Sequence, residues 1–152
     1  MNLPTGLSQQ TRQVLAAAGW HVGRKVDTAC WEAELTADGF PEIHLAARRF
    51  LAEFGGLTVA DGGAGVTRAR EPFTLRPTDC LGEADRFIEW GEHTGRNLAP
   101  IGELAGNSCA CAWLGMDEYE EIYVVVDELA TFGRMPLAME HLALGYMPRR
   151  IN

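Results

Sequence analysis

Positive charge is what this sequence has least of. Thirteen Lys and Arg stand against twenty-one Asp and Glu, giving a formal charge of −8 and a pI near 4.9. Sequence-independent binding of nucleic acid needs a basic footprint, and an anionic membrane surface asks for the same. Neither partner class is expected. Long apolar runs are missing as well: nothing approaches the roughly 18 consecutive apolar residues of a membrane-spanning helix. Met1 to Gln10 is polar and holds no apolar stretch of the kind found in a signal peptide, so a cytoplasmic location is expected. Four cysteines, Cys30, Cys80, Cys109 and Cys111, are too few for a disulfide scaffold and should be reduced there. Wholesale disorder is excluded by an apolar fraction of 47% against 22% charged.

What is present suits one globular domain over 1–152. A chain of this mass should keep roughly 7,600 Å² of surface when folded and bury about two-thirds of what it exposes unfolded. That suffices for one core without a structural metal. The charge is lopsided. Residues 1–76 carry eight basic and eight acidic side chains, whereas residues 77–152 carry five and thirteen, so the whole excess lies in the second half. Between Asp79 and Glu128 twelve acids meet two bases, Arg86 and Arg96. An acidic surface attracts basic partners, mainly by speeding encounter.

Periodicity and punctuation outline the elements. Ser8 is an N-cap candidate and Gly19 a stop for a first helix. A second runs from about Thr28 to Ala37 and ends at Gly39. A third starts at Pro41, and Ile43, Ala47, Phe50, Leu51 and Phe54 form one apolar face before Gly55 and Gly56. Leu57–Ala60 and Val66–Leu75 read as strands around a turn at Asp61–Gly65, with Pro77 closing that section. Asp79 to His93 returns to helix. Ser108–Met116 and Ile122–Val126 read as strands joined through 117–121, and Pro136–Leu144 as a last helix stopped by Gly145. Helices first and paired strands after predict an α+β fold, with N-terminal helices on a mostly antiparallel sheet.

Catalytic patterns fail one by one. Cys109 and Cys111 are spaced C-x-C, with no second pair to complete a zinc site. On a strand they would share a face beside Trp113, as small core hydrophobes. The histidines at 21, 44, 93 and 141 form no metal-binding pair. Ser108 lacks a nucleophile elbow, and the glycines at 62, 63 and 65 match no phosphate loop. The acids at 117–121 lack calcium-loop spacing and read as a solvated hairpin tip. Trp20 and Trp31 read as core anchors; Trp90, between Glu89 and Glu92, has the makeup of a protein-binding hot spot if its face is exposed. Neither metal nor cofactor is expected. The residues by themselves describe a binding module for a basic partner.

Six stretches, in order, resemble one family. Ala18-Gly19-Trp20-His21-Val22-Gly23-Arg24-Lys25-Val26-Asp27 is similar to its opening "aGWxxGRxvd", and AARRFLAEFGGL from Ala46 to Leu57 to its "FLxxFGGL". Pro72-Phe73 to Pro77 resembles its "pF…P" strand, and Ala99-Pro100-Ile101-Gly102-Glu103 its "PIGE" turn. Met116–Tyr119 with Ile122-Tyr123 resembles "DExGxvY", and Leu142–Gly145 the C-terminal "aLxxLlxG". The family is the third immunity-protein class of the SUKH superfamily. One departure stands out: where the family often has glycine before its "vY" strand, this chain has Glu120 and Glu121.

The resemblance implies a SUKH-like fold and a non-catalytic antitoxin, one that binds a cognate bacterial polymorphic toxin. Toxins around this superfamily include nucleases and nucleic-acid deaminases, whose sites are basic, and an acidic binder can cover such a site. The expected contact pool is Asp79, Glu83, Asp85, Glu89, Glu92, Asp117, Glu118, Glu120 and Glu121, with Trp90 as the aromatic. Two rivals are a regulatory or scaffold domain without a linked toxin, and a thiol- or metal-dependent enzyme using Cys109 and Cys111.

Overall fold

Three capped helices open the chain in the computed structural model, which describes residues 7–59, 72–105, 111–126, 128–144 and 148–151. Helix α1 (Gln9–Ala17) starts where the Ser8 hydroxyl accepts from the Thr11 N–H at 3.2 Å. Helix α2 (Ala29–Asp38) ends at Gly39, whose φ of +107° is open to glycine at little cost. Helix α3 (Leu45–Phe54) begins four residues later than Pro41, because His44 is its cap. The imidazole Nδ1 accepts from the Ala47 N–H, and Nε2–H donates to the Met116 carbonyl at 3.0 Å. One ring therefore both starts the helix and ties it to the sheet.

The expected face of α3 is the buried one: Ala47, Phe50, Leu51 and Phe54 point inward. Phe54 packs on Phe50, with ring centroids 5.1 Å apart, and stacks under Trp20 at 6.2 Å. The Trp20 indole N–H donates to Glu53 Oε2, and the Arg24 guanidinium to the Glu53 carbonyl at 2.7 Å. Arg24 does not pair with Asp27, which instead accepts from the Ala29 N–H at the start of α2. Gly55 is required by packing: a Cβ there would sit 2.6 Å from the Trp31 ring and run into the Leu51 carbonyl. Arg48 on α3 joins Glu32 on α2 at 2.8 Å and holds that carboxyl below the usual carboxylate range.

Among the described residues seven strands follow, in one antiparallel sheet whose spatial order is the chain order. They are β1 (Thr58–Val59), β2 (Phe73–Thr74), β3 (Ala99–Ala105), β4 (Cys111–Met116), β5 (Glu121–Val125), β6 (Leu129–Arg134) and β7 (Arg149–Ile151). Helix α4 (Ala84–Thr94) lies between β2 and β3 in the chain, and α5 (Leu137–Leu144) between β6 and β7. This is the expected α+β architecture with N-terminal helices.

Several expected boundaries move. The proposed turn at 61–65 and the first part of the Val66–Leu75 strand lie outside the described residues. Pro77–Cys80 is a 3-10 turn, not the start of the acidic helix, and α4 begins at Ala84 beyond Gly82. Strand β3 was disguised by its turn residues. Pro100 and Gly102 lie inside it, where the register with β4 shifts, and a Cβ on Gly102 would strike the Thr74 carbonyl. Strands β6 and β7 carried no signal strong enough to read.

One core joins the helices and the sheet. Leu35, Leu51, Phe54, Phe73, Phe87, Ile101, Leu114, Met116, Ile122 and Leu129 are all fully buried within it. Each large apolar side chain so buried contributes about 1.5–3 kcal/mol. The folded surface is 7696 Å², in line with the chain's mass.

Candidate protein-binding face

Helix α4 divides its side chains sharply. Ala84, Phe87 and Gly91, at helical spacing, are buried. The Gly91 site has no room for a side chain, since a Cβ would lie 2.7 Å from the Arg96 carbonyl. Phe87 presses on Gly115 of β4 and meets Phe40 edge-on at 5.5 Å. With that stripe turned inward, Asp85, Glu89, Glu92 and His93 are left exposed.

Two half-buried aromatics border the helix. The Trp90 indole N–H donates to the Val126 carbonyl at 2.9 Å, and His93 stands edge-on to the ring at 5.5 Å. Both contacts fix the indole. Trp113 lies two residues from Gly115 on β4 and so shares its face. The Arg86 guanidinium sits 5.5 Å above its ring, while Arg86 Nε donates to Glu83 Oε1 at 2.9 Å. A groove of about 710 Å³ runs along this side, lined by Glu83, Asp85, Arg86, Glu89, Trp90, His93, Val126 and Gly82. Four of the ten residues expected to meet a partner are thus brought together: Glu83, Asp85, Glu89 and Trp90. Glu92 is exposed on the same helix, outside the lining.

The other acids are placed differently. Asp79 sits in the 3-10 turn, accepts from the Thr74 hydroxyl and pairs with Arg76 at 3.7 Å. Asp117 corrects the reading of a solvated tip. It is fully buried and has no surface to offer a partner. Its Oδ1 accepts from the N–H groups of Tyr119 (2.8 Å) and Glu121 (3.0 Å), its Oδ2 from the Tyr123 hydroxyl (2.8 Å), and Arg96 stands 4.0 Å away. Burial, together with the Asp117 carboxylate, pushes the Tyr123 phenol up from its ordinary value. Glu118 accepts from the Asn97 N–H, and Glu121 from the Thr131 hydroxyl at 2.6 Å. Glu120 is exposed at φ +69°, the left-handed region, and borders a smaller cleft of about 180 Å³ with Phe50, Met116, Met135 and Pro136. It holds the position where the resembling pattern has glycine.

Two contributors escaped the sequence reading. Arg86 was counted only as a base among acids, although its i, i+3 spacing from Glu83 carried the pairing. Tyr119 is 52% exposed, with Arg96 and Arg134 at 4.7 and 5.6 Å from its ring centroid; only the fold brings those two arginines to it. Of the cysteines, Cys80 is buried, donates to the Gly102 carbonyl and has its thiol pushed up by burial, the reverse of an activated nucleophile. Cys109 lies outside the described residues.

A model of the SUKH-3 immunity protein family matches residues 7–141. The chain belongs to that family. Neither a curated protein nor a solved structure matches it. For a SUKH-3 protein the role is immunity, the neutralising of a cognate toxin. The segments that carry the resemblance do architectural work here: Trp20 and Arg24 dock on α3, Gly55 clears Trp31, and Asp117 organises its turn. None of those segments falls on α4. No helix among the described residues of this SUKH-3 chain is long and apolar enough to cross a membrane.

Proposed function

We propose that this chain is a non-catalytic immunity protein that holds its toxin against the α4 groove. The carrying observation is that Asp85, Glu89 and Glu92 are exposed and make no hydrogen bond or ion pair within the described residues, beside a tryptophan fixed in place. Carboxylates free of internal partners and a rigid aromatic are what a basic partner can use. The toxin is therefore basic, and a nuclease or nucleic-acid deaminase domain fits that description. The encounter takes place in the cytoplasm of the producing cell. Asp79, Glu118 and Glu121 are bonded within the fold and serve it first.

The test starts with tagged protein purified from its host at low and high salt, followed by neutralisation assays on the toxin retained. Replacing Asp85 and Glu89 by Lys should weaken binding about a hundredfold, with the fold unchanged by circular dichroism. Association should slow as salt rises. Unaltered affinity would move the interface off this helix. A retained host protein with no toxic activity would favour a regulatory domain instead.

A further inference from the structure

The α4 groove already holds one arginine of its own, and the manner in which it does so is informative. Arg86 lies over the Trp113 ring and is bonded to Glu83, an aromatic face and a carboxylate acting on one guanidinium. One helical turn on, Trp90 with Glu89 and Asp85 repeats the same two components. Among the described residues no cation of this chain is paired with either acid.

The chemistry of this second half-site is restrictive. Trp90 has spent its only donor on Val126, so the exposed part of the indole offers π surface. The carboxylates offer acceptors alone. Three carboxylates line the groove against the one guanidinium of Arg86, which leaves it net negative. A ligand that satisfies all of this is a flat, donor-rich cation. Arginine stacks on an aromatic face and forks onto a carboxylate, whereas lysine is a compact, strongly hydrated point charge.

We infer that the groove is a receptor for an arginine side chain of the partner protein, seated on Trp90 and bonded by Glu89 and Asp85, in preference to lysine. The inference rests on the immunity reading for the source of that arginine. It is tested on the full chain by following the Trp90 indole N–H cross-peak in nitrogen-15 NMR while titrating hexa-arginine or hexa-lysine at matched salt. Hexa-arginine should move the peak saturably and bind about fivefold tighter than hexa-lysine. Glu89→Gln with Asp85→Asn, both exposed positions, should erase most of that preference. Equal affinity for the two peptides, or a Trp90 peak that stays still while others move, would overturn it.

The two readings can fail separately. If toxin neutralisation needs the groove but the peptides bind equally, the arginine preference falls and the interface stands. If the preference holds and Glu89→Gln with Asp85→Asn neutralises toxin as well as the parent chain, the groove reads arginine but is not the toxin site.

Discussion

Helix α4 and the β4–β5 hairpin are both acidic stretches of the second half of the chain, and they use their carboxylates in opposite directions. On α4 the inner face is Ala84, Phe87 and Gly91, and Asp85, Glu89 and Glu92 look outward without a bond to the described chain. In the hairpin Asp117 is swallowed whole, Glu121 takes a threonine hydroxyl and Glu118 takes a backbone N–H. The difference lies in donors. A tight turn exposes backbone N–H groups that need acceptors, whereas the middle of a helix has already paired its own. Acids next to a turn are drawn inward, and acids on a helix stay available.

The largest expected effect breaks the hairpin side of that contrast. Asp117→Ala would leave the Tyr123 hydroxyl and two N–H groups without their acceptor, and should cost about 3–5 kcal/mol by urea unfolding. A loss below about 1 kcal/mol would mean that the turn holds its shape unaided. The same buried pair sets an alkaline limit. Tyr123 keeps its proton more tightly folded than unfolded, so its contribution is whole below a pH of about 10 and is lost as pH rises past that value. Absorbance at 295 nm (the phenolate band) should show part of the tyrosine signal delayed until the protein unfolds; full ionisation in the folded state would refute this.

Glu120 sharpens the comparison, because it is the hairpin acid that behaves like those of α4. Its backbone is in the left-handed region, and no internal bond of its carboxylate offsets that among the described residues. Glu120→Gly should therefore stabilise the protein by about 1 kcal/mol, read as a rise in melting temperature. The smallest effect belongs to α4 itself. Neutralising Asp85 and Glu89 relieves a like-charge pair four apart but gives up the charge of Asp85 in the first turn of the helix, two small opposing effects, so stability should stay within about 0.5 kcal/mol. A clear drop would reveal internal partners for these acids.

Much of this scaffold can be read from the chain, and the exceptions have physical causes. The buried face of α3 was legible because four apolar residues repeat at helical spacing and two glycines follow. Its first turn was misplaced because a histidine cap lacks the usual Ser, Thr, Asp or Asn signature. Strand β3 was hidden because the close approach of β2 demands a glycine and the bulge tolerates a proline, both of which otherwise mark turns. In the binding face, the acids and Trp90 were legible as a composition. That Trp90 is locked was not, because its acceptor, the Val126 carbonyl, lies 36 residues away; nor was the burial of Asp117, whose donors on Tyr119, Glu121 and Tyr123 are near in sequence but turn toward it only once the hairpin has formed.

The outward side of α4 has one more consequence, for how the protein can change. Glu89 and Glu92 make no bond to the described chain, so exchanging either costs the fold only within about 0.5 kcal/mol, and Asp85 adds no more than its small first-turn charge effect. Substitutions can accumulate there singly, in any order, without passing through an unfolded intermediate sequence. A lineage carrying this scaffold can follow a changing adversary by altering α4 while the seven strands and the Asp117 turn stay as they are.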